Sequence, residues 1–460
     1  MKKGVIFAIF AILAFTGCSD EVASGIAIQN VTVIDAVNGI RARQTVVFDG
    51  DNITYVGPAT TAPKTIESID ATGKYLIPGL WDMHVHLTFD DRFTDIMPTA
   101  FLRYGVTAVR DTGGLLPKLL PVVEKMRSPE NPAPRVYYSG PLLDGEFVVY
   151  DGQSAPEIGT QNLTAEQASE NVAMLKQAGA SFIKIYEMVS PDVFDALREA
   201  AAEHGMPIAA HVPLALTASD VGPAVDTMEH FRNIELDCTS DHEGLHKTRR
   251  ELLMNPAGLS GYALRTSMHD LQRIPAIKSL DEDRCGHVLS RLTETIQVPT
   301  AGLNTILLNS MYERDDWSEA LSFMPEDVRE EWQHVPDWLS AGKANGDTTF
   351  AHYTMNMIKR MNTAGVPIGA GTDTPIARAI PGYSLLNELE ILVAAGLTPL
   401  EAIAAATLRP AEFLSLQDQM GTIDAGKVAD LVLLHADPLK DINNIREIAA
   451  VISQGRLLPN

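Results

Sequence analysis

The sequence predicts an α/β chain: a (β/α)8 TIM barrel with a small β-sandwich domain built from both chain ends. Two observations point there. Through the middle of the chain, short apolar strand candidates alternate with helical patterns, the order that yields parallel strands covered by helices. At both ends that alternation gives way to short β-rich runs separated by turn residues. The 460 residues, 45% hydrophobic and 21% charged, are enough for one large barrel and a smaller domain with a sizeable core.

The first stretch reads as an address. Met1, Lys2 and Lys3 give a positive start, Gly4 to Phe15 an apolar core, and Thr16-Gly17-Cys18 a small-residue end. The apolar run is too short for an ordinary spanning helix. Phe15-Thr16-Gly17-Cys18 resembles a bacterial lipobox, although Phe15 stands where Leu is usual. Residues 1–17 are therefore expected to be a lipoprotein-type signal peptide, with Cys18 lipidated. The protein would then be exported, periplasmic or anchored to the outer membrane, and would meet membrane through the lipid anchor only.

Residues 25–76 alternate β-rich runs with turns, among them Val31 to Ile34, Thr45 to Phe48 and Ile53 to Val56, with Asp49-Gly50-Asp51-Asn52 between the last two. Residues 421–457 have the same character, so the two ends are expected to form one composite β-sandwich. Residues 77–420 hold eight strand candidates. The first ends in His84 and His86. The others are Val106–Asp111, Arg135–Gly140, Ser181–Tyr186, Pro207–His211, Thr227–His230, Gln297–Thr300 and Val366–Asp373. Helices are expected near Met97–Tyr104, Leu115–Met126, Thr164–Gln177 and Pro191–His204, and as two packed helices over Leu385–Ala406 with a break at Gly396-Leu397-Thr398-Pro399. Two longer stretches, about 237–295 and 304–348, exceed βα spacing and are expected to form a lid over the catalytic face.

The formal net charge of −23 argues against nucleic acid as a partner. Beyond Cys18 the cysteines are Cys238 and Cys285, which pair in an oxidising compartment or remain separate buried thiols. No Cys-x-x-Cys occurs, which excludes a thiolate metal cluster of that kind.

Strand parity concentrates the chemistry. Residues i and i+2 of a strand share a face, so His84 and His86 can converge on one ion, and imidazole suits zinc and its neighbours. Lys184, His211, His230 and Asp373 also fall at strand ends, where a barrel keeps its catalytic groups. Tyr186 shares the face of Lys184. Arg110, Arg232 and Arg378 lie near strand ends as candidates for a substrate carboxylate, and His352 precedes the last barrel helix as a further contact candidate. His204, His242, His246, His269, His287 and His435 are expected at the surface or in the lid.

From Gly25 onward the chain resembles the amidohydrolase superfamily, in its imidazolonepropionase-like or Xaa-Pro dipeptidase-like branch. The motifs that carry the resemblance run from Pro78 to His86, from Gly105 to Gly114 and from Phe182 to Ile185. They continue with Ala210-His211, Glu229-His230, Gly369 to Asp373, and Gly421 to Asp430. The resemblance implies a binuclear centre. His84, His86 and Asp373 would hold one divalent ion and His211 and His230 the other, with Lys184 bridging them as a CO2-derived carbamate. Zinc leads, with manganese, iron or nickel as alternatives. A water ionised between the ions would attack a small-molecule substrate, with Asp373 as general base and then acid. The expected reaction is hydrolysis of an amide bond, in a dipeptide or N-acyl amino acid. Cyclic amides, lactones and phosphotriesters are alternatives on the same site. A deaminase is disfavoured because Val212-Pro213-Leu214 follows His211 with no glutamate. A non-catalytic, lipid-anchored binding protein is the reading from another class.

Overall fold

Strand-forming runs from the two ends of the chain meet in one sheet. In this computed structural model, residues 23–459 are described, apart from 154 and 255; the leader and Cys18 lie outside them. The sheet runs Arg456–Pro459, Ile448–Ser453, Leu431–Leu434, Tyr75–Pro78, Ala23–Asp35, Gly39–Asp49, Asn52–Pro58, with Thr65–Asp70 paired to Ala23–Asp35. The seam between the ends is the antiparallel ladder from Leu431 opposite Pro78 to Leu434 opposite Tyr75. The ladders form one continuous hydrogen-bonded path, and its edge strand is tied back to the tail by Ile53 N–H donating to Lys427 O (2.7 Å). Register shifts between Ile28 and Val33 add twist to the longest strand. Ile28, Val33, Phe48, Leu76, Leu431 and Ile452 bury against one another on its inner side.

The middle of the chain is mixed α/β with parallel sheets. Leu80–Val85, Val106–Asp111 and Arg135–Tyr138 form one parallel set. Gly159–Gln161, Leu142–Asp144, Ile183–Ile185, Ile208–Ala210, Thr227–Glu229 and Ile296–Val298 form another. Backbone hydrogen bonds join the sets. Ser181 N–H donates to Tyr138 O (2.9 Å), Gln297 N–H to Pro367 O (2.8 Å), Met83 N–H to Ala370 O (2.9 Å) and Asp373 N–H to His84 O (2.8 Å). These strands are short and buried on both faces, as parallel strands beneath helices must be.

Helices cover the strands. Met97–Arg103, Leu116–Arg127, Ala165–Gln177 and Pro191–Glu203 lie within a residue or two of the expected bounds. Ser190 caps the last of these, its hydroxyl accepting from Val193 N–H, with Pro191 at the first helical position. The stretch 237–295 is largely helical, as His242–Met254, Gly261–Lys278 and Glu282–Ser290. The stretch 304–348 holds Trp317–Ser322, Glu326–Trp332 and Asp337–Asn345, and it buries Trp317 and Trp332 in the main core. No helix among the described residues is long and apolar enough to cross a membrane. Cys238 and Cys285 are joined by a disulfide.

Candidate metal centre

At the C-terminal ends of the parallel strands, His84, His86, Lys184, His211, His230 and Asp373 line one small cavity of about 30 Å³. Two neighbouring strands and a turn bring the first group together. Asp373 Oδ1 lies 3.2 Å from Nε2 of His84 and 3.2 Å from Nε2 of His86. Ligand atoms of His84, His230 and Asp373 all fall within 4.8 Å of one another. The His230 ring is 4.5 Å from that of His84 and 4.7 Å from that of His211, measured between centroids.

Each imidazole is oriented from behind. His84 Nδ1 faces Glu229 Oε2 (2.7 Å), His211 Nδ1 faces Glu187 Oε1 (2.7 Å), His230 Nδ1 faces the Thr300 hydroxyl (2.7 Å), and His86 Nδ1 faces Gly113 O (3.1 Å). These partners are acceptors; the Thr300 hydroxyl directs its own proton to Pro299 O. The ring proton therefore sits on Nδ1 in all four, and every Nε2 keeps its lone pair. At His84 and His86 those lone pairs point toward a carboxylate oxygen, an arrangement that a divalent cation between them satisfies. Two of the imidazoles also resist charging. Burial pulls His211 down to about 3 and holds His230 well below its ordinary value, so both stay in the neutral, ligating form.

Lys184 is fully buried, its Nζ has no hydrogen-bond partner among the described residues, and Glu229 Oε1 is 3.9 Å away. Burial pulls its ammonium down to about 8 against the attraction of Glu229, with Arg110 adding to the decrease. An orphaned amine held near neutrality is the species that adds CO2, and the resulting carbamate would supply the oxygen ligands that the donor set lacks. The residues present therefore fit a pair of divalent ions. Burial alone would raise the carboxyls of Glu187 and Glu229. For Glu187 and Glu229 the guanidinium groups of Arg265 and Arg110 outweigh that burial and hold the carboxyls well below the usual range.

Several candidates stand elsewhere. Arg110 is not a substrate contact: it is buried beneath the centre, donating to Met83 O, Thr227 Oγ1 (3.0 Å) and Glu229 Oε1 (2.7 Å), with Phe413 stacked on its guanidinium at 4.6 Å. His352 faces solvent, because helix Thr349–Thr363 buries Tyr353, Thr354, Met357, Ile358 and Met361 and so turns position 352 outward. Arg378 donates to His334 O and pins its own turn. Tyr186 and Arg232 do line the cavity. Two histidines expected at the surface or in a lid are buried: His246 against Asp237 (2.7 Å) and His269 against Glu187 (2.6 Å). Sequence reasoning passed over Glu187, Thr300, Arg265 and Tyr150 and gave Glu229 no role. Glu187 and Glu229 sit beside cavity residues at strand ends, a signal that was available, whereas Arg265 and Tyr150 offered none. A larger cavity of about 510 Å³, with Phe147, Met188 and Leu253 in its wall, contains none of the six converging groups.

With this geometry in place, likeness to known proteins can be set beside it. Residues 345–458 match the Amidohydrolase family model. These findings support membership of the amidohydrolase superfamily, with the family match confined to the C-terminal quarter of the chain. A segment of 82 residues is 33% identical to adenine deaminase of Edwardsiella ictaluri, covering 18% of this chain and 14% of that protein. Another of 55 residues is 38% identical to imidazolonepropionase of an Arthrobacter species, covering 12% of this chain and 14% of that one. The chain thus matches only about a seventh of the length of these curated amidohydrolase relatives. It shares the fold of an Xaa-Pro dipeptidase solved with methionine in its active site, with TM-score 0.67 and 19% identity across 95% of this chain and 100% of the other.

Proposed function

We propose that this amidohydrolase is a metal-dependent hydrolase of a carbon–nitrogen bond, acting on an amide in a dipeptide or N-acyl amino acid. The observation that carries the reading is the set of four Nδ1-tethered imidazoles converging with Asp373 and an unpartnered buried Lys184. The likeness to an Xaa-Pro dipeptidase supports the peptide-like substrate. We take the eight parallel segments as a (β/α)8 barrel, on the strength of the hydrogen bonds from 366–373 to strands on either side, which puts the centre at the rim where such barrels work.

His84, His86 and Asp373 would hold one divalent ion, His211 and His230 the second, and Lys184 as its carbamate would bridge them. When bound, the pair supplies Lewis acidity toward the scissile carbonyl and ionises a water. The chain's own groups do the rest. Asp373 turns Oδ1 to the two imidazoles, and its carboxylate is the group that would take the proton of the attacking water. It then delivers that proton to the departing nitrogen. Arg110 and Glu229 neutralise each other beneath the centre and keep His84 in the ligating tautomer. Lys184→Ala is expected to lose at least one of two bound ions and to abolish turnover of a dipeptide and N-acyl amino acid library, and elemental analysis of the wild type is expected to give about two ions per chain. Full metal content and full turnover in that variant would refute the bridge.

An exported lipoprotein is the location that goes with this reading. The Cys238–Cys285 disulfide fits an oxidising compartment. Cys18→Ser should move the protein from the membrane to the soluble fraction; unchanged anchoring would exclude lipidation at that residue.

A further inference from the structure

Two arginines line the metal cavity in opposite electrostatic situations. Arg265 donates Nε to Glu187 Oε1 (3.0 Å), so its charge is answered inside the protein and it serves to hold the carboxylate that orients His211. Arg232 makes no ion pair and no side-chain hydrogen bond among the described residues, its Nε is shut off from water, and Glu187, already engaged by Arg265, acts on it only from beyond ion-pair distance.

The backbone holds Arg232 in place. It sits in a turn where His230, Phe231 and Asn233 have φ of 62°, 54° and 67°, a region that side-chain-bearing residues seldom enter. Three hydrogen bonds fix this turn. Asn304 Nδ2 donates to His230 O (3.0 Å), Asn233 Nδ2 to Val212 O (2.9 Å), and Arg249 to Asn233 Oδ1 (2.7 Å). Strain maintained in this way, two residues beyond a ligand histidine, marks a position held for use. Around it the cavity wall offers the phenols of Tyr150 and Tyr186 and the apolar faces of Leu142 and Ile158.

A half-buried guanidinium whose Nε is shut off from water without a partner is costly, and a planar carboxylate that can accept two of its N–H bonds removes that cost. We propose that Arg232 is the residue that recognises a carboxylate in this cavity, so that the substrates are amides carrying a free carboxylate next to the scissile bond. Unblocked dipeptides and N-acyl amino acids belong to this class; neutral lactones, phosphotriesters and carboxamide-capped peptides do not. The assignment rests on the hydrolase reading for the words "scissile bond", but its test does not need turnover.

The experiment is calorimetric titration of the metal-loaded protein with N-acetyl-L-methionine and with N-acetyl-L-methioninamide, which differ only in the carboxylate. The wild type is expected to prefer the acid. Arg232→Gln should weaken the acid by about 30-fold or more and the amide by less than about threefold. Arg232→Lys, which keeps charge and loses the fork, should fall between. Metal content equal to that of the wild type shows that each variant is folded and its centre intact. Equal weakening of the two ligands, an unchanged preference for the acid in Arg232→Gln, or no preference in the wild type overturns the proposal. Should the acid bind through Arg232 without hydrolysis of any amide, the recognition stands and the hydrolase reading falls.

Discussion

Four imidazoles each give Nδ1 to a different acceptor, and two of those acceptors are buried carboxylates. Glu187 is the more heavily engaged, since His211, His269 and Arg265 all contact it. Glu187→Gln is expected to weaken metal binding by about 10- to 100-fold, the usual effect of altering a group behind a ligand histidine; chelator competition measures it. A second buried carboxyl acts on stability instead. Burial pushes Glu388 up to about 8, although Ala301 and Gly302 both donate backbone N–H to it. In the unfolded chain the same group titrates near its ordinary 4.5. Between those values the folded protein holds a proton that the unfolded chain has released, so this group lowers stability progressively as pH rises across that window. Glu388→Gln is expected to flatten the slope. Thermal melts of both proteins across the window test it, and an identical slope in the variant would exclude the assignment.

At the scale of elements, the helix Gly261–Lys278 connects the first long insertion to the chemistry, because Arg265 and His269 project from it to Glu187. They are four residues apart and share a face. Its first turn lies on the chain at 147–148, where a Cβ at Gly261 would come 2.3 Å from Phe147 O and 2.5 Å from Val148 O. Gly261→Ala must therefore displace the helix. A loss of about 1–3 kcal/mol is expected, together with weaker metal binding, and melting and metal titration on one preparation read both. Other elements were legible without any tertiary information. Gly396 has φ 117° after helix Tyr383–Ala394, and Thr398 with Glu401 forms a capping box that starts Pro399–Ala405, as the break at Gly396-Leu397-Thr398-Pro399 implies. The helices of the two insertions were not legible, since their polar composition obscured the apolar faces they bury.

At the scale of the whole molecule, two long-range ties stand out. The sheet that joins residues 75–78 to 431–434 makes the tail part of the fold on which the first metal strand begins. The Cys238–Cys285 disulfide closes a sequence separation of 47 residues across the first insertion. The double variant Cys238→Ala/Cys285→Ala is expected to lose about 2–5 kcal/mol. Reductant should lower the melting temperature of the wild type and leave that of the double variant unchanged.

By itself the sequence determined the alternation of strands and helices, the strand-end positions of His84, His86, Lys184, His211, His230 and Asp373, and the helix breaks. These depend on periods of two and 3.6 residues and on Gly, Pro and capping chemistry, all of which act over a few neighbours. Only the tertiary structure decided which charges answer one another. Glu229 meets His84 from 145 positions away and Arg110 from 119, and Glu187 meets His269 from 82. Three arginines looked alike along the chain, yet packing neutralised Arg110, turned Arg378 onto a carbonyl and left Arg232 unanswered in the cavity. The choice of partner among groups so distant along the chain is made by the packing of whole strands and helices, for which local periodicity carries no signal.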